Sequence, residues 1–207
     1  MRHFYELSFH NWLEFVFNRS FKPQAIWKIE ERMHAKRYDE EVVAHYIEWL
    51  FKDPSILLQS YSLHQINSGL EMMLDIFYRK IMVSEKVNRK QRIEIVESTL
   101  FLFQGLFASE RWNEKWQDKA GEAGICYMWF DICLCDEFLE EYFTILCKIL
   151  EIPSKHCQFS ALHGLGELIG KWEDAKIILT IENFINNNPY LEPKLKNFAG
   201  YAKLGQV

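Results

Sequence analysis

The stretch Cys157–Trp172 reads CQFSALHGLGELIGKW, and its spacing predicts a helix pressed closely by other helices. Positions three and four apart share a helix face. Phe159, Leu162, Leu165, Leu168 and Ile169 then cover an arc wide enough to bury against two neighbours. Gly164, Gly166 and Gly170 are costly there, since each glycine in a helix interior loses roughly 1 kcal/mol against alanine. The usual return is close approach of another backbone. Gly166 and Gly170, four apart, are expected to share one stripe. Ser154 after Pro153 is the expected N-cap, and Gly170 the stop.

A polar stripe runs along the same stretch. His156, Ser160, His163 and Glu167 follow helical spacing. They read either as a metal or acid–base site, or as buried histidines bonded to a carbonyl or to Glu167. The second reading is preferred, because zinc sites generally bring three or four ligands in tight local spacing. Ser62-Leu63-His64-Gln65-Ile66 echoes Ser160–Leu165, each placing Leu-His shortly after a serine. That echo points to repeated helical units.

Working outward, the pattern is helical throughout. Ser8 caps a helix to Arg19 with Phe9, Trp12, Leu13, Val16 and Phe17 on one face. Residues 21–38 are charged, broken by Pro23, and read partly as loop. Asp39 caps Glu40–Lys52, with Val42, Val43, Tyr46, Ile47, Leu50 and Phe51 inward. Pro54 starts a short helix over 55–59. Ser62 and Gln65 form a capping-box pair opening a helix to about Val83. Asn88 opens another to Ala108, apolar nearly all round from Thr99 and therefore expected at the centre of the fold. Residues 109–124 read as a long loop, in which Trp112 and Trp116 are core anchors or a binding patch; core is preferred. Asp131 stands alone in the apolar run ICYMWFDICL. As a buried carboxylate it needs a partner, and a structural role is preferred over a catalytic one. Asp136 caps a helix to Leu150, Asp174 one to Asn186, and Pro193 starts a last one to Lys203. No hairpin turn or sustained alternation signals a strand.

The expected fold is therefore all-α: antiparallel helix pairs stacked as a HEAT-like or armadillo-like α-solenoid. It is one domain over 1–207, with regular pairs most evident at 136–203. An apolar share of 49% with seven Trp and sixteen Phe supports a large core and argues against disorder. The net charge of −5 argues against nucleic-acid binding, which needs a basic stripe. Lys86, Arg89, Lys90 and Arg92 sit among Glu85, Glu94 and Glu97, a solvated mixed-charge face. The five cysteines are odd in number and form no CxxC pair, which fits reduced thiols in a cytoplasm. The charged N-terminal run is not expected to be a signal peptide, and the longest apolar run, near 99–108, is too short to span a bilayer.

SYSLHQINSGL at 60–70, MWFDI at 128–132, CQFSALHGLGEL at 157–168 and FAGYAKLGQV at 198–207 resemble a family of small bacterial all-helical proteins of HEAT-like character. The resemblance runs in order over most of the chain and is most specific at 157–168. It implies the fold and assigns no catalytic residue. Members often carry histidine at the position of Glu167, so a metal site built on the polar stripe has one imidazole fewer here.

The function expected is a non-catalytic protein-binding module, with an immunity or antitoxin-like partner as one form, since an acidic surface suits a basic protein. The partner expected is another protein rather than nucleic acid, a membrane or a small molecule, and no cofactor is expected. The alternative is a metal-dependent or acid–base enzyme using His156, His163 and Glu167, with His64, Asp131, His45 and Cys157 as further candidates. The chain carries no GxSxG, P-loop, GxGxxG or HExxH.

Overall fold

The computed structural model describes residues 8–18, 38–115 and 124–207. The readings made for 19–37 and for Trp116 lie outside them. Among the described residues every regular element is a helix and there is no strand. By proximity of Cα atoms the chain divides into two compact units, Met1–Ile95 and Val96–Val207.

In the first unit, α1 (Phe9–Phe17) starts at Ser8, whose hydroxyl accepts from Asn11 N. It buries Trp12, Leu13, Val16 and Phe17. The Asp39 carboxylate accepts from Glu41 N and Val42 N to start α2 (Glu40–Lys52). Val42 and Tyr46, expected inward, are not buried; Ala44 and Glu48 are. After α3 (Ser55–Ser60), Ser62 and Gln65 form the reciprocal capping box that opens α4 (Leu63–Met73). The helix continues through a π-helical turn, Leu74–Tyr78, into α5 (Arg79–Met82). α1 lies against α4 at Gly69, where an added Cβ would stand 2.3 Å from the Phe17 ring. Only a glycine admits that ring at that depth.

The boundary between units falls within α6 (Arg89–Leu102). Asn88 starts it by accepting from Gln91 N at 2.9 Å. It runs into a second π-helical turn, Phe103–Phe107, which buries Phe103, Leu106 and Phe107. Phe101 remains 48% exposed, so this segment is not apolar all round in its surroundings. Residues expected as loop form α7 (Glu110–Lys115), which buries Trp112 against Phe107. Two short helices follow, α8 (Gly124–Tyr127) and α9 (Trp129–Cys133). A 3₁₀ turn, Asp136–Phe138, precedes α10 (Leu139–Leu150).

The central element of the second unit is α11 (Lys155–Leu168), the helix of the ALHGLG motif. It packs on α8, α9, α10 and the last helix, α13 (Pro193–Ala202). α12 (Asp174–Asn187) touches α10, α11 and α13. Enclosure on several sides is why α11 has no clear polar face: from His156 to Leu168 all but Gln158 and Glu167 are buried.

The glycines divide the work. At Gly164 a Cβ would meet Leu146 Cδ2 at 2.6 Å and Phe130 Cγ at 2.8 Å. At Gly166 it would meet Val207 at 2.7 Å and the Ala202 Cα at 3.3 Å, so α13 comes close to the α11 backbone there. Gly170 does not share that stripe. It lies beyond the helix end with φ +79° and nothing within 4 Å, an αL stop. Ser154 is at the N-cap position, yet its hydroxyl donates to Asn113 Oδ1 instead of receiving an α11 amide. Asp174 accepts from Gly170 N at 2.8 Å, so it braces the preceding turn while Glu173 occupies the cap.

Candidate functional site

Three side chains converge where α9 crosses α11. Asp131 comes from α9, and His163 and Glu167 from α11, one helical turn apart. One ligand atom from each lies within 4.8 Å of the others. His163 Nε2 stands 3.3 Å from Asp131 Oδ1. The other ring nitrogen, Nδ1, stands 3.1 Å from the carbonyl oxygen of Tyr127 at the end of α8. The Tyr127 ring lies over the imidazole with centroids 4.4 Å apart, and Phe198 of α13 meets its edge at 6.5 Å. His163 is thereby buried to 3% exposure. The Asp131 and Glu167 side chains keep 27% and 31% of their area, so the carboxylates face solvent while the imidazole is held from behind. Glu167 also pairs with Lys171 at 3.3 Å. Burial, and then the charge of Asp131, push the Tyr127 phenol up.

Asp131 was expected to be buried; it is a surface residue. A five-residue helix, α9, has too few turns to bury a full circumference, and it buries Trp129, Phe130 and Cys133 instead. The expected stripe also divides. His156 does not join His163, because seven helical residues separate them by roughly 10 Å of rise. His156 is buried and bonded to the Asn113 backbone. Burial, chiefly, depresses its basicity; the Asn113 bond opposes this and the Lys155 charge adds to it. Ser160 donates to the Cys126 carbonyl at 2.6 Å, a satisfied buried hydroxyl. His64 lies exposed on α4 in the other unit. The echoed Ser-Leu-His runs occupy different positions, since Ser62 is an N-cap and Ser160 is mid-helix.

Two groups of the site escape sequence reading. The Tyr127 carbonyl has no residue-type signature, because any residue supplies one. The Tyr127 ring sits four positions before Asp131, a spacing that would have suggested a shared neighbourhood.

Cys126 and Cys157 are not poised for chemistry. Burial pushes Cys157 up to about 12 despite a bond to Ser154, and burial followed by the proximity of Cys157 raises Cys126 well above its ordinary range. A protonated thiol is a poor nucleophile. Both nitrogens of His163 face oxygen atoms, Nδ1 the Tyr127 carbonyl and Nε2 the Asp131 carboxylate.

No protein-family model, curated protein or solved structure matches the chain. The fold and the site define an all-helical protein with an imidazole–dicarboxylate cluster on its second unit. Among the described residues no helix is long and apolar enough to cross a membrane.

Proposed function

We propose that the chain is a non-catalytic protein-docking module whose helix pairs stack in the HEAT-like manner suggested by its motifs. The observation that carries this reading is the apolar surface of the last pair. α12 buries only Ile177 and Ile181, while Leu179 remains 57% exposed. Tyr201 and Leu204, on and just beyond α13, remain 55% and 65% exposed. The ion pair of Lys203 with Glu182, at 3.1 Å, brings these segments together, with Leu179 one turn from Glu182 and Leu204 beside Lys203. A terminal repeat needs a polar outer face to stand in water, and clustered exposed aliphatics mark interaction surfaces.

An enzyme is the weaker reading. His163 is enclosed by rings, and burial holds the Cys126 and Cys157 thiols protonated. The partner fits a protein of net positive charge, in the manner of an antitoxin, given the −5 balance of the chain.

The test is affinity purification from the source cell with the wild type and with a Leu179→Ser, Leu204→Ser double variant. The expected result is one protein of basic composition retained at near-equal amount by the wild type and lost by a variant that melts like it. An unchanged retained set, or none at all, overturns the reading.

A further inference from the structure

We propose that Asp131, His163 and Glu167 bind one divalent metal ion of the zinc, cobalt or manganese class. His163 Nε2, Asp131 Oδ1 and a Glu167 carboxylate oxygen are the three protein ligands. The proposal is independent of the docking reading, since it uses none of that surface's residues and needs no partner.

The ring orientation is the first argument. His163 directs Nδ1 at the Tyr127 carbonyl at 3.1 Å. That bond requires an N–H at Nδ1, which leaves the Nε2 lone pair pointing at Asp131. Metal-bound histidines are held in this way, with the second nitrogen donating to a carbonyl or carboxylate behind the ring. The Tyr127 ring and the Phe198 edge lock the imidazole plane, so the lone pair is aimed before any ion arrives.

The spacing is the second. Nε2 and Asp131 Oδ1 are 3.3 Å apart. A strong charge-assisted hydrogen bond of this type is shorter, about 2.7–2.9 Å. Ligands about 2.1 Å from a tetrahedral ion stand about 3.4 Å from one another. The observed 3.3 Å separation matches that edge. Glu167 lies one turn along α11 with all three ligand atoms inside 4.8 Å. Its long, partly exposed side chain closes the third edge by rotation.

The donor set decides the class of ion. One imidazole with two carboxylates is of intermediate hardness, suited to zinc, cobalt(II), manganese or iron(II) rather than to copper(I). Two carboxylates supply the charge to balance a dication. Solvent reaches the site from the side of Asp131 and Glu167, so water fills the remaining positions. The ion joins α9 to α11, which also meet where the Phe130 ring faces Gly164.

Lys171 competes for Glu167, and this gives the test a second arm. The full chain, freed of metal by a chelator, is titrated with cobalt(II) and separately with manganese(II), followed by calorimetry and by thermal melting. The expected result is one ion per chain and a rise in melting temperature. The cobalt spectrum should lack the near-ultraviolet thiolate band, which excludes the five cysteines as ligands. Asp131→Asn and Glu167→Gln should each weaken binding about tenfold or more while the metal-free proteins melt like the wild type. His163 is buried, so its replacement tests packing as well as ligation; the two surface variants carry the test. Lys171→Met should tighten binding on the order of fivefold, the Boltzmann factor of a unit charge pair about 4 Å apart in water. Absence of one-to-one binding overturns the proposal. So does a thiolate band, or unchanged affinity in both carboxylate variants.

Discussion

Replacing Gly164 by alanine should destabilise the protein, although alanine is the better helix former. The added Cβ would lie 2.6 Å from Leu146 Cδ2 and 2.8 Å from Phe130 Cγ. Carbon contacts are optimal at about 3.5–4.0 Å, so each wall must retreat by about 1 Å. Both walls are fully buried, in an interior packed at close to crystal density. Overpacking of this kind costs about 1–3 kcal/mol, and the helix propensity of alanine offsets roughly 1 kcal/mol of it. With two rigid walls the net loss should be about 1–2 kcal/mol, or a fall in melting temperature of about 2–8 °C for a chain of this size. Gly200→Ala is the control. Nothing lies within 4 Å of its Cβ position and it sits inside α13. It should therefore stabilise by up to about 1 kcal/mol. Urea denaturation followed by tryptophan fluorescence, with circular dichroism melts, measures both. In a Leu146→Ala background only the Phe130 wall remains, so the Gly164→Ala change should cost less, giving a coupling energy of about 0.5–1 kcal/mol or more. A Gly164→Ala protein as stable as Gly200→Ala, or no coupling to Leu146, would refute the account of α11 as a helix clamped at its glycines.

Other expectations follow from buried polar groups. Burial is the largest influence on Glu40 and pushes its carboxyl up. Hydrogen bonds from Ser84 and Lys80, with the charges of Lys80 and Lys86, outweigh it and leave the group below its ordinary value of 4.5. A lowered folded value means stabilisation present above the unfolded value and lost as pH falls through the folded one. Melting of the wild type should thus fall more steeply on acidification below about pH 5 than melting of Glu40→Gln; parallel curves would contradict this. Cys126, Cys133 and Cys157 are buried, so a thiol reagent followed by mass mapping should label Cys135 first and those three only after unfolding. Early labelling of Cys157 would contradict the enclosure of α11.

Much of the local structure was legible because it is set by neighbours in sequence. Asp39, Ser8 and the Ser62–Gln65 pair act within three residues of themselves, and each caps as its spacing implies. Helical periodicity likewise marked Trp12, Leu13, Ile47 and Leu50 as core. Ser154 was misjudged for the opposite reason: its hydroxyl has a distant partner in Asn113. Asp174 was misjudged because it turns back to the Gly170 amide of the preceding turn, which competes with the cap. Residues 110–115 looked like loop because charged residues surround one tryptophan, yet burying Trp112 against Phe107 is enough to wind the segment.

The sequence by itself determined that this chain is helical, where most helices begin, and that the ALHGLG run is crowded by neighbours. These follow from side-chain period, capping chemistry and the steric cost of Cβ, all of which act over one or two turns. Only the tertiary structure decided that His163 meets Asp131 rather than His156, that α11 is the central element of its unit, and that Gly164 and Gly166 serve packing while Gly170 serves a turn. Those outcomes depend on how α8, α9 and α13 cross α11. Crossing is set by the summed fit of many distant side chains, and no short window of residues contains it.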